Sequence, residues 1–215
     1  MKKLFSYIYP ITKRINSDHN GVLELTLVNG RKVLDSKNAN YSFGSLQRIL
    51  EKGLSEIDLT NTNSILILGL GGGSVIKSLR NKFRYSGKIH AVEIDRTIID
   101  IAKNEFDIHE SEKLHIYNKD AFEYVKQYSS FYDLIIVDLF IDDKVPLKFY
   151  SQGFCGNLLT ILSKKGTILF NVGLNESGEE KLKDLLGYFS INNKLTCNTL
   201  KNIEGTNTLL IINNF

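Results

Sequence analysis

Arginine, cysteine and long apolar stretches are all scarce in this chain of 215 residues, and each scarcity closes off a class of function. Only 6 of its 27 basic residues are arginine, which leaves few guanidinium forks for reading phosphates or bases. The 27 Lys+Arg stand against 24 Asp+Glu, a net charge of +3 scattered along the sequence instead of gathered in a block, so a nucleic-acid partner is not expected. Cys155 and Cys197 are isolated, without metal spacing or a disulfide framework, which points to a reducing cytoplasm. The four histidines, His19, His90, His109 and His115, also lack metal spacing, and no metal is predicted. His90 is expected in a packed strand and the other three at the surface. No apolar run approaches the roughly 20 residues of a membrane span. The opening MKKLFSYIYP has two lysines but meets Tyr and Pro where a signal core should be, so no membrane association is expected. What is there, 42% hydrophobic, 24% charged and 10% aromatic residues, is the composition of an ordinary globular domain. A chain of this size buries roughly 70% of its unfolded surface and needs no cross-link to fold.

Two regions differ in pattern. In residues 1–60, Val22 to Val28 alternates apolar and polar residues, Asn29-Gly30 supplies the positive-φ pair of a two-residue turn, and Lys32 to Asp35 returns as a partner strand. Tyr41 to Leu54 then places Leu46, Ile49, Leu50 and Leu54 at helical spacing, with Gly53 read as the stop and Asp58 to Asn63 as a linker. In residues 61–215 the cadence is regular. Apolar runs at Ser64 to Leu68, Lys88 to Glu93, Leu114 to Tyr117, Tyr132 to Asp138 and Thr167 to Val172 alternate with helical stretches. Those helices are expected near Ser74 to Phe83, Arg96 to Glu105, Ala121 to Tyr128 and Phe149 to Leu162, with one more at Ser177 to Tyr188. Alternation of this kind predicts an α/β, doubly wound Rossmann-like sheet. Lys194 to Leu200 and Thr208 to Ile212 have no room between them for a crossover helix and should close the sheet as an antiparallel hairpin. There is no internal repeat and no low-complexity tract.

The chemistry concentrates at Ile65 to Ser74 and Glu93. A glycine turn directly after the first strand lets a ligand approach the backbone, and the following helix offers its free N–H groups and positive dipole end. Glu93, 24 residues past Gly69, ends the second strand, from which a carboxylate can accept hydrogen bonds from ribose hydroxyls. The pair implies an adenosine-type cofactor. A dinucleotide fingerprint wants G-x-G-x-x-G, and counted from Gly69 its last position is Ser74, so the match to an NAD-binding oxidoreductase is imperfect.

Ile65-Leu-Ile-Leu-Gly-Leu-Gly-Gly-Gly-Ser74, Ala91-Val-Glu-Ile-Asp95, Lys119-Asp-Ala-Phe122, Tyr132-Asp-Leu-Ile-Ile-Val-Asp138 and Lys165-Gly-Thr-Ile-Leu169, in this order, resemble class I S-adenosylmethionine-dependent transferases, and among them the spermidine synthase-like branch. The resemblance implies the class I methyltransferase fold and a set of roles. Gly69, Gly71 and Gly73 would pass beneath the methionine part of S-adenosylmethionine. Glu93 would hold the ribose diol, Ile94 would pack on the adenine, and Asp120 with Ala121 would read the adenine amino edge. Asp138 matches the first aspartate of the spermidine synthase signature, which takes a proton from the attacking amine.

Departures from that pattern shape the expected activity. The loop aspartate that pairs with the aminopropyl amine of decarboxylated S-adenosylmethionine is Gly72 here, and the second signature aspartate is Ile141, followed by Asp142 and Asp143. The acidic and Tyr-His-Glu cluster that binds the polyamine corresponds to Asn38 to Phe43, where Tyr41 alone survives. Tyr41 and Asp142 are therefore the substrate-binding candidates. A dication needs carboxylates to replace its lost hydration, so putrescine should bind poorly. The usual methyltransferase acid two residues before the first glycine is Ile67. Aromatics near Tyr41, Phe43, Phe140 and Phe149 could wall a pocket, while Lys144 and Lys148 read as solvated charges. The reading is an S-adenosylmethionine-dependent methyltransferase acting on a small molecule. The alternatives are a polyamine aminopropyltransferase using decarboxylated S-adenosylmethionine and a catalytically inactive cofactor-binding regulatory protein; a homodimer stays open.

Overall fold

The computed structural model describes residues 2–36, 40–42, 44–127, 130–141 and 144–215. Expectations placed on Asn38, Phe43, Tyr128, Asp142 and Asp143 lie outside the described residues, as does the Tyr41 side chain. The chain opens with a single helical turn α1 (Lys2–Phe5), then β1 (Ile11–Ser17), β2 (Gly21–Val28), β3 (Arg31–Asp35), β4 (Asn40–Ser42) and α2 (Ser45–Leu54). These four strands form one antiparallel sheet in sequence order. The β2–β3 turn is the expected one, with Asn29 at φ 49° and Gly30 at φ 73°. Two corrections apply to this region. The helix expected from Tyr41 begins only at Ser45, because Asn40–Ser42 pairs with β3 instead. Gly53 is not a stop but a close-approach residue inside α2, since a Cβ there would lie 2.6 Å from Leu169 Cδ1 and 2.8 Å from Leu209 Cδ1.

The second sheet has seven strands. Its elements run β5 (Ser64–Leu68), α3 (Ser74–Asn81), β6 (Lys88–Glu93), α4 (Arg96–Phe106), β7 (Leu114–Asn118), α5 (Ala121–Gln127) and β8 (Tyr132–Val137). They continue with a 3-10 turn at Leu147–Tyr150, α6 (Gln152–Thr160), β9 (Leu162–Leu174), α7 (Asn175–Ser190), β10 (Leu195–Ile203) and β11 (Asn207–Asn214). Strand order is β10-β11-β9-β8-β5-β6-β7, with β5, β6, β7, β8 and β9 parallel and β11 antiparallel to both neighbours. This is the doubly wound sheet with a terminal antiparallel hairpin that the alternating pattern predicts. The expected helix from Phe149 to Leu162 is split, because Ser151 turns extended and accepts the Phe154 N–H at 3.3 Å to cap α6.

β5 lies inside the sheet, and its Ile65, Leu66, Ile67 and Leu68 are all fully buried. Side chains on a strand alternate between faces, so this one run feeds two cores. Ile65 and Ile67 pack with α3, α4, α2 and with Leu23, Leu25 and Leu34 of the N-terminal sheet. Leu66 and Leu68 pack with α5, α6 and α7. The N-terminal sheet and α2 therefore cover one face of the large sheet near its carboxyl edge.

Candidate active site

The chain leaves β5 toward one side of the sheet to make β6 and β7, then returns to the other side for β8 and β9. In an open α/β sheet, the carboxyl ends on either side of such a reversal leave a crevice for ligands. A cavity of about 290 Å³ lies there, lined by the glycine loop, Glu93, Asp120 and Asp138. Gly69 has φ 97°, and a Cβ at that position would run into the Asp138 carbonyl oxygen, so only glycine allows the two strand exits to lie side by side.

Glu93 is buried, with 8% exposure, and clamps the loop that precedes it in the chain. Its Oε2 accepts the Leu70 N–H at 3.1 Å and the Gly71 N–H at 3.4 Å, and its Oε1 accepts the Asp95 N–H at 3.0 Å. Burial pushes its pKa above the ordinary carboxylate range, and these three N–H groups act against that push. Gly71 and Glu93 thus face one shared cavity. Asp95, 1% exposed, caps α4 by accepting the Thr97 N–H at 2.9 Å. Its other oxygen accepts Ser17 Oγ–H and Asn20 Nδ2–H, tying the β1–β2 turn to the large sheet and bringing Asn20 into the cavity wall.

On the β7 side, Ile94 is 37% exposed and lines the cavity, as does buried Ala121. Asp120 caps α5 by accepting the Phe122 N–H at 2.7 Å, and its Oδ2 pairs with Lys148 Nζ at 2.5 Å. Burial would raise the Asp120 pKa, but the Lys148 ammonium and the cap N–H groups hold it below the usual value. Lys148 also lies 5.0 Å from the Phe149 ring centroid, so this lysine, exposed as the sequence suggested, is in addition tied to two parts of the wall.

On the β8 side, Asp138 follows the strand directly and donates its backbone N–H to the Leu68 carbonyl at 2.9 Å. Its side chain is not a helix cap. Oδ1 accepts Asn171 Nδ2–H at 2.9 Å, and burial pushes the carboxyl up to about 6, with the Asn171 bond acting against it. Apolar walls complete this half: Leu46, Ile49 and Leu50 from α2, and Leu139, Phe140 and Ile141 from the segment after β8. Asn171 is fully buried and Asn207 is 5% exposed. Sequence reasoning missed Asn20, Asn171 and Asn207. Asn171 did leave a signal, a lone amide in an apolar run otherwise read as a buried strand. His90 sits in β6 as expected, its Nδ1 within 2.8 Å of the Tyr132 hydroxyl. Among the described residues no group of three or more His, Cys, Asp or Glu could hold a metal ion.

The order of these elements and the cavity they frame coincide with a known family. Residues 50–196, from within α2 into β10, match the spermine/spermidine synthase domain. The chain belongs to that family. A polyamine aminopropyltransferase 2 of Aquifex aeolicus is 34% identical to this family member over 118 residues, 50% of this chain and 23% of that protein. An eEF1A lysine and N-terminal methyltransferase of Bos taurus is 28% identical over 140 residues, 60% of this chain and 20% of that protein. The match thus spans about a fifth to a quarter of these two relatives. The crystal structure of human Methyltransferase-like protein 13 in complex with SAH has a TM-score of 0.65 at 22% identity, covering 80% of this chain and 83% of that one. At that identity the likeness establishes the fold. This spermine/spermidine synthase domain accordingly has relatives that transfer methyl groups and relatives that transfer aminopropyl groups.

Proposed function

We propose that this family member transfers a methyl group from S-adenosylmethionine to a small-molecule acceptor, with Asp138 as the general base. The observation that carries the reading is a division of labour within one cavity. A clamped glycine loop and Glu93 lie on the β6 side, and on the β8 side lies the half-buried Asp138 carboxyl, pushed up to about 6, where it can take up a proton near neutral pH. The donor set suits an adenosine group: Ile94 and Ala121 offer apolar faces to a base, Asp120 an edge acceptor, and Glu93 Oε1 retains one lone pair for a ribose hydroxyl. The bound cofactor supplies an electrophilic methyl carbon on a sulfonium. Transfer of that carbon would leave the cofactor's sulfur as a neutral thioether, and Asp138 would take the proton that the acceptor's nucleophile gives up. Residues 61–215 form the cofactor-binding unit in this reading, and residues 1–60 provide the cover that excludes water. Leu46, Ile49 and Leu50 favour an acceptor with an apolar body over a polyamine dication.

Aminopropyl transfer is the second reading, supported by the Aquifex relative, but Gly72 and Ile141 stand where that activity needs aspartates. Calorimetric titration with S-adenosylmethionine, its decarboxylated form, methylthioadenosine and NAD in parallel decides the cofactor. Spermidine formed from putrescine by the purified protein would promote the second reading. Tight binding of S-adenosylmethionine, with no turnover across an acceptor panel, would favour a regulatory cofactor-binding role. No helix among the described residues is long and apolar enough to cross a membrane. Both cysteines are free, and burial pushes the Cys155 thiol up to about 12, which fits our assignment to the reducing cytoplasm.

A further inference from the structure

Behind Asp138 lies a chain of polar side chains that the family pattern does not use. Asn171 is in β9, flanked by Phe170 and Val172, and Asn207 opens β11 beside Thr208, ahead of the apolar run Leu209 to Ile212. The register between them slips by one residue, so that Thr208 pairs with Gly173 but Leu209 pairs with Asn171, leaving Val172 as the extra residue of a bulge. Bulges re-aim side chains beside active sites. This one folds the Gly173 N–H back onto Asn171 Oδ1 at 3.3 Å. A backbone N–H can only donate, so the atom facing it must be the amide oxygen, and the amide nitrogen must face Asp138. Asn171 Oδ1 also accepts Asn207 Nδ2–H at 3.0 Å, and Asn207 Oδ1 accepts Thr206 Oγ–H at 2.8 Å. Every hydrogen bond in the series therefore points the same way, from Thr206 through Asn207 and Asn171 to Asp138 Oδ1. A series of this kind polarises each amide in turn and strengthens the last donor.

We propose that Asn171 and Asn207 are positioning residues: they commit Asp138 Oδ1 to a permanent acceptor role and leave Oδ2 as the oxygen that receives the acceptor's proton. The role in transfer rests on the methyltransferase reading; the relay itself does not. Neighbouring ionisable groups are engaged elsewhere. Glu93 holds the glycine loop, Asp120 holds Lys148, Arg48 of α2 pairs with Glu204 of the β10–β11 turn, Glu51 pairs with Lys82, and the Tyr150 hydroxyl donates to the Val172 carbonyl at 2.7 Å. Lys119 lines the cavity from the far, β7 side.

The test is a titration of Asp138 by carbon NMR on protein labelled at the aspartate carboxyl carbons, without cofactor or acceptor, with Asp138→Asn identifying the signal. The parent should titrate near 6. Asn171→Leu should move the midpoint up by about one unit, the worth of one hydrogen bond to a charged group. Asn207→Ala should move it up by less, and should add nothing in the Asn171→Leu background, because it acts through Asn171. An unchanged midpoint in Asn171→Leu, or an Asn207→Ala shift that persists when Asn171 is already leucine, overturns the relay. If Asn171→Leu does not fold, Asn207→Ala alone decides, an upward shift supporting the relay and none overturning it. Failure of the transfer reading would appear separately, as absent S-adenosylmethionine binding or turnover with the titration shifts intact.

Discussion

A carboxylate carried from water to the end of β8 loses hydration that a single Asn171 bond only partly replaces, which is why Asp138 titrates at about 6 instead of 3.8. The folded state then binds more protons than the unfolded chain between those values. The contribution of this one group is full below pH 4 and is lost as pH rises through 6, about 3 kcal/mol in total. An Asp138→Asn variant keeps the shape and can still accept from Asn171. It should therefore be more stable than the parent at pH 7, by up to about 3 kcal/mol in urea denaturation, while binding S-adenosylmethionine normally and losing roughly 100-fold or more in turnover. A parent and variant with the same stability between pH 4 and 7 would remove the buried-base argument. Glu93→Ala tests the other carboxyl. It should weaken S-adenosylmethionine binding by about 1.5–3 kcal/mol in calorimetry through the lost ribose bond. It should also destabilise the apo protein by about 1–3 kcal/mol, because the Leu70, Gly71 and Asp95 N–H groups lose their acceptor. At this scale the sequence was readable where the residues fall in local order: the glycine turn, Glu93 at one strand end, Asp120 and Asp138 at others. Asn20 and Asn207 were not readable. Asn20 reaches the site through Asp95, 75 residues away, and Asn207 through a bulge in the partner strand, and neither relation leaves a local pattern.

Among the elements, β5, β8 and the central part of β9 were legible because burial on both faces writes them as unbroken apolar runs, whereas the edge strand β7 was legible from its place in the strand–helix alternation. β1 was not, since Ile11–Ser17 is an edge strand, half polar and mostly exposed. β4 was hidden for a different reason: three residues with helix-compatible spacing on their far side cannot announce a strand by themselves. α2 carries the site's apolar wall, and its distance from the sheet is set by Gly53 against Leu169 and Leu209. Gly53→Val should lift the helix from β9 and β11 and destabilise the protein by about 1–3 kcal/mol, the usual result of overpacking. Because Leu46, Ile49 and Leu50 move with the helix, the acceptor KM should rise more than the S-adenosylmethionine Kd. Equal changes in both would place α2 over the cofactor instead.

For the molecule as a whole, two halves of the sheet converge on one cavity, and ligand binding there should be felt as global stability. At about 100 times its Kd, S-adenosylmethionine should add roughly 2.7 kcal/mol and raise Tm by about 5–10 °C. Decarboxylated S-adenosylmethionine at the same concentration should raise it less, because the loop has glycine where a carboxylate would meet the free ammonium, and putrescine alone should not raise it. A larger shift with the decarboxylated form would reverse the assigned activity. The strand order carries a consequence for biosynthesis. β11 follows both β9 and β10 in the chain yet pairs between them, so the edge of β9 stays open on the ribosome until β11 has been made. Asn207 arrives with that strand, and until it does Asn171 lacks its donor. A nascent chain can thus assemble the glycine loop, β5, β6 and β7 well before Asn207 joins Asn171 behind Asp138, so in this reading competence for transfer waits for β11.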